Sequence, residues 1–284
     1  LIARFEDRWK WESHGSLSRS EALPWSEELI ARFEERWDWD GYESLRSNEA
    51  LPWSEELIAR FEDRWDWTDL SGNEVLSWSE ELVARFEERW SWLSLSKNEA
   101  LPWSAELVAR FEEQWNWGGL SQNEALPWSE ELIARYEDRW DWSSGSRSLS
   151  SNEALPWSEK LLERYEDRWK WDERNSLSRN SGIPWSLSLI ERFEDRWNWE
   201  TLSEKKELPW SEELIARYED RWEWEELSSN KALPWSAELI GQFEDRWKWE
   251  SHGSLSQSEA LPWSEELIAR FEDQWDWDGM HGSL

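Results

Sequence analysis

Between residues 25 and 39 the apolar positions Leu29, Ile30, Phe33 and Trp37 are separated by one, three and four residues. That spacing puts them on one stripe of a helix. Ser26 is a suitable N-cap, Glu27 and Glu28 favour the positive end of the helix dipole, and Pro24 fixes the geometry just ahead. A start at Pro24 itself is equally tolerable. The pattern predicts a helix of about three turns reaching Trp37. Trp37-Asp38-Trp39 cannot keep both rings on one helix face, because two residues turn the chain by ~200°. Trp39 therefore starts a new direction.

The residue between such paired rings is Asp38, Asp66, Ser91, Asn116, Asp141, Asn198 or Asp276 in seven of eleven copies, all cap or turn formers. Downstream comes Leu70-Ser71-Gly72-Asn73, where Ser71 and Glu74 have capping-box spacing, repeated at Ser96/Glu99 and Ser121/Glu124. This predicts a short helical turn ending at the next Pro, with a plain loop as the alternative. Leu70-x-x-Asn73 also resembles part of a leucine-rich repeat, whose Asn forms a ladder beside a short strand. The alternating L-x-L that such a strand requires is missing from most copies. The leading expectation is all-α, with a leucine-rich-repeat-like solenoid as the alternative.

The same pattern fills the chain. The W-x-W pair recurs at Trp9, Trp37, Trp65, Trp90, Trp115, Trp140, Trp169, Trp197, Trp222, Trp247 and Trp275, and a third Trp precedes Ser from Trp25 to Trp263. All 32 Trp and all eight Phe are in register, and only Tyr42 among the aromatics falls outside. W-x-W-x-x-L-S-x-N-x-x-L-P-W, as at Trp65–Trp67, Leu70–Asn73 and Leu76–Trp78, resembles the repeats of uncharacterised tryptophan-rich tandem-repeat proteins of bacteria and large DNA viruses. The resemblance covers nearly the whole chain. It implies a repeat array and brings no activity or site residues with it.

Successive first Trp residues are 25 to 29 residues apart. The expected fold is thus a single array over residues 1–284: a solenoid or superhelix of eleven units, each a main helix plus a short turn or helix. One unit cannot bury its apolar residues alone and must stack on its neighbours. Burying one Trp removes ~150–250 Å² from water, worth roughly 4–6 kcal/mol as an upper bound. The expected stacking residues are Trp25, Leu29, Ile30, Phe33, Trp37, Trp39, Trp53, Trp65 and Trp67, the second Trp of each pair being the expected exception to burial. Glu28, Arg32 and Arg36 form a charged row beside the apolar stripe, with Glu27 and Glu34 on its other side. If helices stack in parallel, the Arg edge of one meets the Glu edge of the next, and Arg lies over Trp rings. These rows are expected to set the stacking register.

Extra residues fall between W-x-W and the next Leu, as in Asp40-Gly41-Tyr42-Glu43-Ser44. Long and short units alternate with a beat of about four to five, which suggests that many units per superhelical turn. Residues 239–275 match 1–37 at 32 of 37 positions. The first and last copies lack the polar sequence changes of capping repeats. This suggests a window of a longer array or a protomer stacking end to end, a non-closing contact that gives a filament.

Composition narrows the chemistry. Asp+Glu exceed Lys+Arg by 64 to 32, a net charge of −32, which opposes nucleic acid. An aromatic fraction of 15% separates the chain from acidic disordered ones. With no cysteine there are no disulfides and no thiolate chemistry. No apolar run approaches the ~20 residues of a membrane span. His14, His252 and His281 lie in long loops and far apart. Glu-Asp pairs such as Glu62-Asp63 repeat in nearly every copy, as a structural feature does and an active site does not. Calcium-binding loop spacing is absent, and neither metal nor cofactor is expected. The reading is a non-catalytic structural protein, an elongated acidic solenoid forming a filament or fibre component. The alternative is a scaffold that binds a protein or glycan through the variable loops 40–44, 143–148 and 172–176.

Overall fold

The computed structural model of the chain describes residues 11, 17–39, 45–143, 148–171, 176–250 and 252–278. It is an all-α tandem-repeat solenoid, and among the described residues there is no β-strand. The leucine-rich-repeat alternative therefore falls, for want of the alternating residues that a strand needs. The chain forms two compact units, Leu1–Asp141 and Trp142–Leu284. His14, His281, all of loop 40–44, and residues 144–147 and 172–175 of the other two loops lie outside the described residues.

In the first unit the main helices are Glu27–Arg32, Glu55–Arg60, Glu80–Arg85, Ala105–Arg110 and Glu130–Arg135. In the second they are Glu159–Arg164, Leu187–Arg192, Glu212–Arg217, Ala237–Gln242 and Glu265–Arg270. Each begins as the sequence requires. Ser26 is extended (φ −150°, ψ 158°) and its hydroxyl accepts the Leu29 N–H, so Pro24 is not the start.

Each helix is only 6 residues long, half the expected three turns. Phe33 leaves helical geometry (φ −119°, ψ 28°). The reason lies in the indoles. An α-helix continued past Arg32 would give the Ile30 carbonyl to a backbone N–H four residues on. Here the Trp37 indole donates to it at 3.0 Å, and the Trp39 indole donates to the Glu34 carbonyl at 2.8 Å. Helix-like spacing persists to Trp37 because a tight turn, with Arg36 N–H donating to the Phe33 carbonyl, brings the Trp37 ring back beside Phe33.

The second element also starts earlier than expected. Short helices run Trp67–Ser71, Trp92–Leu95 and Trp117–Gln122 in the first unit, and Trp199–Glu204 and Trp224–Ser229 in the second. Asp66, Ser91, Asn116 and Asn198 cap four of them with their side chains. Ser71 lies at the end of its helix, so the expected capping box with Glu74 does not form. Ser71 is a good cap by type, but Asp66 is one helical turn upstream and takes the start.

Long repeats solve the insertion locally. In a short repeat the Leu70 N–H donates to the Asp66 carbonyl at 2.9 Å, and in a long one the Leu45 N–H donates to the equivalent Asp38 carbonyl at 2.9 Å. The insertion falls between the same two hydrogen-bond partners in sequence and leaves their pairing unchanged. Leu45 and Leu70 are both fully buried, and the short helix becomes a single 3-10 turn such as Leu45–Ser47.

Candidate functional site

Among the described residues, the junction between consecutive repeats recurs with side-chain precision. Its centre is the second Trp of each pair. Trp67 lies 5.2 Å from Phe86 and 4.8 Å from Trp90 of the next repeat, the latter edge to face at 72°. Trp78 closes over Trp90 at 5.1 Å. In the first unit Trp11, Trp39, Trp67, Trp92 and Trp117 all sit this way. In the second unit Trp142, Trp171, Trp199, Trp224 and Trp249 do the same. Such tilted and edge-on pairs favour the ring quadrupoles beyond simple burial.

Three indole positions carry three different backbone bonds. The first Trp of a pair donates to the carbonyl seven residues earlier, as Trp90 does to Val83 at 3.1 Å. The second donates five residues back, as Trp67 does to Glu62 at 2.9 Å. The third also reaches back five, as Trp78 does to Asn73 at 2.8 Å. Most rings thus fill space and also close a turn, whereas the buried indole N–H groups of Trp169, Trp185 and Trp197 have no such partner. Phe or Leu could fill the space but has no donor with which to close the turn.

Of the residues expected to stack, Ile30, Phe33, Trp37, Trp39, Trp53 and Trp65 are buried. Trp25, Leu29 and Trp67 are half-buried. Trp25 rests on Trp37 at 5.0 Å, and Trp39 reaches forward to Phe61 and Trp65. The distribution of exposure differs from expectation. The third Trp is half-buried in most repeats, while the second is buried in long repeats such as those of Trp39 and Trp171. Trp277 stands apart: it is 53% exposed.

The charged edges meet across the junction. Arg85 pairs with Glu55 at 2.5 Å, and Arg89 pairs with Asp63 at 2.8 Å while lying 6.0 Å over the Trp67 ring. Arg60 faces Glu27 at 3.8 Å, and Arg64 meets Glu34 at 3.2 Å. Arg32 and Arg36 are the corresponding pair one repeat earlier; both are exposed, and Arg32 covers Phe33 at 5.5 Å. Glu28 is exposed, and hydrogen bonds from its own backbone N–H and then from Ser26 hold its carboxyl below the usual value. In the second unit, hydrogen bonds to Asp167, Asp195 and Asp220 raise Arg196, Arg221 and Arg246 further above their ordinary range. Individually such exposed pairs contribute about 0–1 kcal/mol.

Beneath the charges runs a polar spine that sequence reasoning did not assign. Asn98 Nδ2 donates to the Ser71 and Asn73 carbonyls of the preceding repeat at 3.0 and 3.1 Å, while its Oδ1 accepts the Ala100 N–H at 2.9 Å. Asn123 and Asn230 repeat the arrangement, and Asn48 and Asn180 do so at slightly different lengths. Beside it, the Ser96 hydroxyl accepts the Asn116 N–H of the next repeat at 2.9 Å and donates to the Trp92 carbonyl at 2.6 Å. The L-x-x-N match did contain the ladder signal; the ladder simply runs without a strand. Apart from these, the described residues contain no group of His, Asp and Glu arranged to hold a metal, and none of their helices is long and apolar enough to cross a membrane. His252 is exposed.

No known protein-family model, curated protein or solved structure matches this chain.

Proposed function

We propose that the protein is a non-catalytic structural array, a filament or fibre component that grows by adding repeats head to tail. One observation carries this reading: each repeat is self-complementary along the array. Its leading side carries the second Trp and a carboxylate edge, and its trailing side carries Phe or Tyr, the first Trp and the Arg edge. A junction of this kind is satisfied by any further copy, whether supplied by a longer chain of the same repeats or by a second molecule. Trp277, a second Trp, is 53% exposed, and Glu272 and Asp273 are exposed beside it. Negative-stain microscopy across a concentration series tests the reading. Filaments that shorten on Trp277→Ser substitution support it; discrete particles at every concentration overturn it.

A second reading is a scaffold that recognises a protein or glycan. It is favoured by the way a long repeat keeps the Leu45 N–H on the Asp38 carbonyl across its insertion. Loop sequence is thereby freed from the demands of stacking. Exchanging the loop at 172–175 for that at 40–44 abolishes partner capture if this reading holds and leaves filament length unchanged.

A further inference from the structure

One rung of the polar spine is occupied by a cation. At the position of Asn98, Asn123 and Asn230 the repeat at 202–224 has Lys205, 7% exposed. Its ammonium reaches the carbonyls of Arg179 and Asn180 at 3.1 and 3.2 Å. It lies 5.4 Å from the centre of the Trp185 ring and 3.9 Å from the exposed Glu207 carboxylate. The rung above is intact, with Asn230 Nδ2 donating to the Ser203 and Lys205 carbonyls at 2.9 Å.

The replacement is unequal in two respects. An Asn side chain brings an acceptor as well as donors: Asn230 Oδ1 accepts the Ala232 N–H at 2.9 Å. Lysine has no acceptor, so the Glu207 N–H loses that local bond. An amide is also neutral, whereas an ammonium taken from water into a nearly closed slot carries a desolvation penalty that two neutral carbonyls only partly offset.

We propose that Lys205 makes the junction between repeats 177–199 and 202–224 weaker than the next one, which Asn230 bridges, so that it is a seam that opens first of the two and tightens when the ammonium loses its proton. The groups facing Lys205 set the direction. Glu207 and Glu153 favour the charged form, Arg179 opposes it, and burial outweighs them all, so the amine sits below its ordinary value. An unfolded lysine titrates near 10.4. Between the lowered folded value and that figure the unfolded chain holds more protons, so stability rises with pH across this window. Below the folded value the full penalty is present and constant.

The same neighbourhood departs from the repeat elsewhere. Gly182 replaces the usual Ala, and a Cβ there would stand 2.2 Å from the Glu153 carbonyl oxygen. Ser181 and Lys206 stand where most repeats have Glu. The repeats on both sides of this junction thus depart from the common pattern.

Hydrogen exchange of the full chain, read by mass spectrometry and corrected for intrinsic rates, tests the seam. At about pH 7, amides of 199–208 should exchange about tenfold faster than the matched amides of 224–233. The difference should shrink as pH is raised toward the ordinary lysine value of about 10.4. Lys205→Asn should restore protection at the lower pH and remove the pH dependence. Lys205→Met, which removes charge and donors together, should lose the pH dependence as well. Equal protection of the two segments in the unaltered chain overturns the proposal. So does a Lys205→Asn chain that exchanges as before or faster, or a contrast that widens as pH rises.

Discussion

Replacing Trp90 with Phe separates ring-filling from turn-closing at the heart of one junction. Trp90 is 5% exposed, contacts Trp67, Trp78 and Phe86, and donates its indole N–H to Val83. A phenyl ring keeps the aromatic contact but removes the donor. A buried carbonyl left without its partner costs about 1–3 kcal/mol, and the space vacated by the smaller ring about 1–2 kcal/mol. The sum is about 2–5 kcal/mol of local stability. The comparison is Trp277→Phe, where the indole donates to the Glu272 carbonyl but is half in solvent. Water can satisfy that carbonyl, so the expected loss is below about 0.5 kcal/mol. Amide exchange in 83–92 and in 270–277, measured with urea titrations followed by far-ultraviolet circular dichroism, gives both numbers. Similar losses at the two sites, or a Trp90→Phe loss under about 0.5 kcal/mol, would refute the role assigned to the indole N–H.

Other perturbations probe the remaining layers of the junction. Asn98→Ala strands two carbonyls of the preceding repeat and the Ala100 N–H, and should cost about 2–4 kcal/mol by exchange at 96–101. Ser96→Ala frees only the Asn116 N–H and the Trp92 carbonyl and should cost about 1–2 kcal/mol in the same assay. Replacing Arg85 and Arg89 together by Ala should lower the urea midpoint by an amount equivalent to about 1–2 kcal/mol, most of it lost at high salt. An unchanged midpoint at low salt would remove the charged rows from the account of register. Gly182→Ala should loosen the repeat at 177–199 as seen by exchange, since its Cβ meets backbone.

The sequence declares the repeat because both the rings and their partners recur. Leu29, Ile30, Phe33 and Trp37 share a stripe in the fold just as their spacing requires, and Ser26 caps the helix it was expected to cap. The helix length was not legible. Periodicity reports which side chains face one way, and a tight turn held by an indole preserves that facing after the backbone has left the helix. Ser71 departs from expectation for a related reason. S-x-x-E spacing describes a possible start, but Asp66 is placed to cap first, and Ser71 is committed to the Trp67 carbonyl and to the Ser91 N–H of the next repeat. Long-range partners of this kind, 20 residues apart, leave no local signature. The Arg and Glu edges were readable from a helical wheel. Which carboxylate each Arg meets depends on how far one repeat is displaced against the next, which no single repeat encodes.

The central claim is that a repeat holds its shape only between neighbours, through rings it lends to one and borrows from the other. A synthetic peptide of residues 70–92 carries one complete short repeat, including Trp78, Phe86 and Trp90 but not Trp67. Circular dichroism and amide exchange of that peptide in dilute buffer test the claim directly. The account predicts an unstructured, unprotected chain; a cooperative unfolding transition with protected amides at Val83 to Trp90 would contradict it.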